Sequence, residues 1–145
     1  MLKFPITIPF VEELGLELHR FDGGHAEVQV DLEDAHLNSW EVAHGGVLMT
    51  MLDVAMAHAA RSMHSKEPDH GPGVVTVEMK TSFMRPAEGR LIAKGVVLHR
   101  STTMAFWASS TSLRRTGPRA SMSSLSILEA RSDMLAVNSS LMMSE

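Results

Sequence analysis

Hydrophobic and polar residues alternate along most of this chain, and the places where the alternation stops mark its elements. After Pro9, residues 10–14 predict a short helix, stopped by Gly15. Leu16 and Leu18 alternate with Glu17 and His19, and Asp22-Gly23-Gly24 then supplies residues suited to a tight hairpin turn. Beyond it Ala26, Val28, Val30 and Leu32 alternate with Glu27, Gln29 and Asp31. A period of two belongs to strands with one buried face, so residues 16–32 predict a hairpin. Residues 34–42 show no period and predict a loop. From residue 45 to about residue 63 the alternation gives way to Val, Leu, Met and Ala with scattered polar positions. That run is too long for a strand and rich in good helix formers, and at about 1.5 Å per residue it would span roughly 27 Å. It is the one long helix predicted here, and its near-total apolarity predicts burial on most sides.

Past the helix the period of two returns. Residues 68–73 read as a loop, after which Val75, Val77, Met79, Thr81 and Phe83 alternate with Thr76, Glu78, Lys80 and Ser82. Arg85-Pro86-Ala87-Glu88-Gly89 reads as a turn. Residues 91–99, 103–113 and 120–128 read as three further strands, with a turn at Thr116-Gly117-Pro118. Residues 131–145, with four Ser and three Met, carry little pattern and read as a tail, mobile or weakly helical. Hairpin, helix, then four strands with short connections predict mostly antiparallel pairing. The expected architecture is a single α+β domain over residues 1–130, a curved antiparallel sheet wrapped round one apolar helix.

Composition narrows the function. The 145 residues suit one domain with a modest core, so burial between subunits would add stability. A net charge of −4 argues against nucleic acid as partner, since such proteins carry a clustered basic face. Arg114-Arg115 with Arg119 is the longest basic cluster, a patch that suits a phosphate group better than a duplex. The absence of Cys removes thiolate catalysis, disulfides and Cys-based zinc sites. Pro5, Pro9 and Glu12-Glu13 break any signal-peptide pattern at the N-terminus, and no run of 18 apolar residues exists. No membrane partner is expected and the cytoplasm is the expected compartment. No Gly-x-Ser-x-Gly elbow, phosphate loop or His-Glu-x-x-His occurs. His58, His64 and His70 stand six residues apart, off any common helix face, so no metal is expected.

The chemistry concentrates between Asn38 and Asp53. Gly45 and Gly46 fall where the long helix should begin, and the first N–H groups of a helix have no intrahelical partner. They lie at its positive end, worth about half an elementary charge, and glycine there lets a ligand approach the backbone. A carbonyl oxygen gaining charge in a reaction would be stabilised at that place. Asp53 lies two turns further along. A plainer reading stands beside this one. Gly46, Thr50, Asp53, Ala57 and Arg61 share one helical stripe, so Asp53 would then sit on a solvated face near Arg61, with Gly-Gly a tight turn and His44 packed on Trp40.

Asn38, five residues, His44-Gly45-Gly46, then Asp53 nine residues after the His jointly resemble the phenylacetyl-CoA thioesterase branch of the hotdog superfamily, over roughly residues 12–129. Phe83-Met84-Arg85-Pro86-Ala87 is similar to that family's motif after the first post-helix strand. The resemblance implies hydrolysis of an acyl-CoA thioester, with coenzyme A part of the substrate and no separate cofactor. It implies Asp53 as general base or nucleophile, and the Gly45 N–H, with Gly46 beside it, as the group polarising the carbonyl. It further implies that Asn38 positions the carbonyl or the water, Thr76 helps hold the water, and His44 orients the loop and contacts the thioester. In that branch the site lies between two subunits, Asn and His from one, Asp and Ser/Thr from the other, in a homodimer able to pair into a tetramer. One departure is the run Arg100-Ser101-Thr102-Thr103, where relatives often carry a Gly and a basic residue. Arg100, with Ser101 and Thr102, and Arg85 are the candidates for the phosphates of CoA, since arginine presents a fork of donors. Two other functions fit such a fold. A hydratase would carry an Asp-His pair in a different loop context, and a non-catalytic acyl-CoA-binding regulator an attached DNA-binding segment; neither is seen.

Overall fold

The computed structural model describes residues 1–64, 66, 73–83, 85–100, 104–114 and 126–137, those from 100 onward as backbone. A short helix α1 (Pro9–Glu13) leads into strands β1 (Glu17–Asp22) and β2 (His25–Asp31). A 3-10 turn at Asp34–His36 and a loop precede α2 (Gly45–Ser62). Then follow β3 (Gly73–Phe83), β4 (Arg90–Arg100), β5 (Met104–Arg114) and β6 (Ser126–Val137). The six strands form one sheet in the order β1-β2-β4-β5-β6-β3, every neighbouring pair antiparallel. The long apolar helix and the α+β architecture are as the hydropathy pattern predicts. Among the described residues no helix is long and apolar enough to cross a membrane.

The hairpin follows its turn chemistry. Gly23 and Gly24 adopt φ of 50° and 84°, the two positive values a type I′ turn requires. The turn is anchored as well: the Gly24 N–H donates to Ser62 Oγ at 2.9 Å, and the Val97 N–H donates to the Gly24 carbonyl at 2.9 Å. The hairpin tip is thereby tied to the C-terminal end of α2 and to β4. Along the helix, Leu48, Met51, Leu52, Ala55 and Met56 are buried with Leu18, Val28, Leu91 and Ala93 from the sheet. Each large apolar side chain buried in this way is worth about 1.5–3 kcal/mol.

Two expectations differ from the structure. Residues 131–137, read as part of a tail, belong to β6, whose ladder with β3 runs on until Val137 faces Gly73. Their backbone groups pair across the sheet, which local pattern cannot reveal; residues 115–125, including the expected turn and the start of the last strand, lie outside the described set, as do residues 138–145. The second difference is in β3. Its register shifts between Thr76 and Glu78, a bulge that leaves Val77 extra. Thr76 and Met79, three residues apart, therefore both turn to α2, while Val75 and Val77 are 45% and 60% exposed. The simple alternation through Val77 breaks at that point.

His58 is the buried titratable group of α2. Its Nδ1–H donates to the Val54 carbonyl at 2.8 Å, its Nε2 has no hydrogen-bond partner, and the rings of Phe4 and Phe21 stand edge-on to it. Burial, reinforced by the positive charge of Arg61, holds its pKa below the ordinary value, against the pull of the Val54 carbonyl. The folded protein thus binds a proton here less readily than the unfolded chain. Stability is present above the unfolded pKa of about 6.5 and is lost as pH falls toward the lower folded value. Urea unfolding followed from neutral pH down to about pH 5 should show a falling midpoint, and His58→Leu should flatten that slope.

Candidate active site

The N-terminus of α2 is held by backbone and side chain together. The His44 N–H donates to the His36 carbonyl at 2.8 Å and the Ala43 N–H to the Ala87 carbonyl at 2.9 Å, fixing where the helix starts. His44 is the N-cap, and its Nδ1 accepts from the Gly46 N–H at 2.9 Å. The Val47 and Leu48 N–H groups donate to the His44 carbonyl at 3.0 and 3.3 Å. Of the four N–H groups that open the helix, only that of Gly45 has no partner among the described residues. With Nδ1 accepting, the proton of neutral His44 sits on Nε2, facing outward as a donor. A Cβ at residue 46 would lie 3.0 Å from His44 Nδ1, so a side chain there would crowd the cap.

Asn38 is the hub of the preceding loop. Its N–H donates to the Val42 carbonyl at 2.9 Å, its carbonyl accepts from the Glu41 N–H at 3.0 Å, and its Oδ1 accepts from the Trp40 N–H at 2.9 Å. Glu41 takes φ of 57° to close this loop, the one non-glycine residue with positive φ among the described residues. Because Oδ1 faces the backbone, the amide Nδ2 is left as a donor with no partner among the described residues. Asn38 and Gly45 line one cavity of about 370 Å³, together with Leu48, Phe83, Arg85 and neighbouring small apolar residues. Arg85 is exposed at this cavity. The Phe83 ring, at the end of β3, lies 3.4 Å from the position a Gly45 Cβ would occupy.

Asp53 and Thr76 form a second group. The Thr76 hydroxyl donates to Asp53 Oδ1, joining β3 to the middle of α2. Asp53 is half-buried, and Arg61, on the same helical stripe, is 8% exposed, so the stripe is not a solvated face. Neither Asp53 nor Thr76 is among the cavity's lining residues. Among the described residues no group of three or more His, Asp or Glu is placed to hold a metal ion.

Comparison with known proteins decides the family. The thioesterase superfamily matches residues 41–109 of the chain. A Mycobacterium tuberculosis protein named as a candidate esterase, Rv1847, is 31% identical over 105 residues, covering 70% of this chain and 73% of the relative. The chain belongs to the thioesterase superfamily. Its fold is that of the hotdog, PaaI-like thioesterases. A thioesterase family protein from Silicibacter pomeroyi superposes with a TM-score of 0.78 at 23% identity, covering 90% of each chain. The E. coli PaaI protein from the phenylacetic acid degradation operon superposes with a TM-score of 0.74 at 21% identity, covering 89% of this chain and 84% of that one.

In this thioesterase-superfamily chain the residues singled out from sequence therefore fall into two sets. Asn38, His44, Gly45, Gly46 and Arg85 gather at the N-terminal end of α2, and Asp53 with Thr76 at its middle. Arg100 stands apart from both. It closes β4 beyond Val97, which is tied through Gly24 to Ser62 at the opposite end of the helix. One chain does not bring Arg100 to Gly45, and Ser101 and Thr102 lie outside the described residues. Sequence reasoning gives Phe83 no role of its own, although it opens a family-like motif, because the strand's period assigns it to the core. Replacing the cap tests the first set. His44→Ala should destabilise the protein by about 0.5–2 kcal/mol in urea unfolding, and His44→Asn, whose side-chain oxygen can accept the same N–H, should restore most of it.

Proposed function

We propose that the protein hydrolyses acyl-CoA thioesters to the free acid and CoA. The observation that carries this reading is the unpartnered Gly45 N–H at the positive end of α2, opening on a largely apolar cavity. A thioester carbonyl seated there accepts from Gly45, and the Asn38 Nδ2 adds a second donor. As water attacks, the carbonyl oxygen becomes negative, and donors already in place at that oxygen are each worth about 3–4 kcal/mol. Asp53 is the general base: Thr76 holds one carboxylate oxygen and leaves the other free to take the proton of the attacking water. The tetrahedral intermediate then collapses, the C–S bond breaks and the CoA sulfur leaves as thiol. Arg85, an exposed residue of the cavity lining, is the candidate partner for a phosphate of CoA.

The two sets of residues meet across a subunit boundary. Asp53 lies about 13 Å along the helix axis from His44, too far for one small thioester to touch both. β3, which carries Thr76, forms one edge of the sheet: ten of its 11 residues pair with β6, and among the described residues no strand pairs with its other side. An edge of that length, beside exposed Val75 and Val77, is a template for another strand. A second copy paired antiparallel along β3 brings its Asp53 and Thr76 toward the first copy's Gly45 and Asn38. A two-fold axis makes two such sites, and the dimers can pair further.

Asp53→Asn keeps the shape of the side chain and removes the base. Release of free thiol from a panel of acyl-CoA esters should fall by about 10²–10⁴ in kcat with the fold retained; near-normal turnover would remove Asp53 from the mechanism. Mixing Asp53→Asn with Asn38→Ala chains under subunit exchange reads the assembly. Half of the dimers are then mixed, each with one intact site, so activity should return to about one quarter of wild type. No recovery after demonstrated exchange would mean that each site is built within one chain.

A further inference from the structure

We infer that Phe83 sets the length of acyl group the cavity takes, its ring being the wall against which the first carbons of the acyl chain pack. This rests on the proposed hydrolysis of acyl-CoA. Phe83 ends β3 with its Cε1 and Cζ atoms 3.4 Å from the point where a Gly45 Cβ would stand. The ring is therefore the nearest side chain to that point on Gly45, the residue whose N–H has no partner among the described residues. It is also 55% exposed, although Leu48 and Ala87 on the same cavity are buried. The open ring thus offers an apolar face on the cavity that a ligand held at Gly45 can cover.

Geometry then orders the ligand. A carbonyl oxygen on the Gly45 N–H places the carbon chain attached to that carbonyl within van der Waals reach of the ring. From there the cavity continues between Val42, Leu48 and Ala87, all of them apolar. Its volume of about 370 Å³ lies at the low end for ligand pockets, which suits acyl groups of short to medium length. Glycine at 45 contributes from the other side. Any side chain there would meet the ring in direct contact and fill the space between the donor and the wall. Phe83 touches the acyl group and takes no part in proton transfer, so its removal should change which substrate is used rather than whether any is.

The experiment separates binding from turnover. In chains carrying Asp53→Asn, which hold substrate without hydrolysing it, the affinity for straight-chain acyl-CoAs from acetyl to palmitoyl is measured by calorimetry, with and without Phe83→Ala. With Phe83 present, affinity should rise with chain length and then break off. Phe83→Ala should move the break to longer chains and raise the ratio of long-chain to short-chain affinity about tenfold or more, since one methylene in an apolar pocket is worth about 10–200-fold. Phe83→Leu should lie between them. Thiol release by chains with intact Asp53 should show the same shift in kcat/KM.

An equal loss of affinity at every length overturns the inference. So does a change of oligomeric state in Phe83→Ala on size-exclusion chromatography, which would make the ring part of a subunit contact. If thiol is released while the length profile ignores Phe83→Ala, this inference falls alone. If the profile shifts and wild type releases no thiol, hydrolysis falls and the acyl wall stands. Failure of every acyl-CoA to bind removes both.

Discussion

The backbone of α2 lies directly against the sheet, and Gly95 on β4 is where they meet. A Cβ at that position would stand 2.3 Å from the Ala55 carbonyl oxygen and 2.9 Å from the Met56 nitrogen, distances no side chain can occupy. Only glycine allows this approach. With the helix seated at this depth, Leu52, Ala55, Met56 and Ala59 are fully buried and one helix suffices for the whole core. The contact also sets the helix along its axis. The Gly24 turn meets Ser62 at one end and Ala87 meets Ala43 at the other, so the N-terminus of α2 emerges at the cavity rather than under the sheet.

That placement goes with an economy of donors. A helix start normally leaves four N–H groups to be satisfied. Here His44 accepts two of them, Gly46 on its imidazole and Val47 on its carbonyl, and its own N–H donates to the His36 carbonyl. Gly45, whose N–H has no partner among the described residues, lines the cavity together with Asn38, whose amide oxygen is committed to the loop backbone. The Glu41 conformation belongs to the same device. Holding a non-glycine residue at positive φ costs of order 1 kcal/mol or more, and it closes a short loop in which the Trp40 N–H holds the Asn38 side-chain oxygen. In the proposed hydrolysis, two donors fixed in advance need no reorganisation as charge develops on the thioester oxygen.

The bulge at Val77 links the site to the edge of the sheet. It turns Thr76 toward Asp53 while Val75 and Val77 remain exposed on an edge strand. The strand that positions the carboxylate is thus also the strand with a free edge and an apolar surface. In the proposed dimer, the shared site and the subunit contact both trace to this single extra residue.

The sequence by itself determined the element types. The period of two and the one long apolar run define the hairpin, the helix and the strands, because side-chain burial on a strand or helix follows local geometry. The hairpin turn was legible for the same reason, since Gly23-Gly24 carries its conformational preference locally, and the structure shows it as type I′. Asn38, His44, Gly45 and Asp53 stood out through their spacing around the predicted helix start, and the resemblance carried by that spacing led to the right family. Only the tertiary structure decided which elements are neighbours. β3 lies beside β6 across more than 40 residues of chain, and residues 131–137 are strand because that partner satisfies their backbone. Pairing of this kind is a property of two segments, and neither one's pattern contains it. The division of the site into a cavity set and an Asp53–Thr76 set, the capture of the Gly46 N–H by His44, and the seating of Phe83 over Gly45 belong to the same class. Each depends on distances between elements, and those are set by packing.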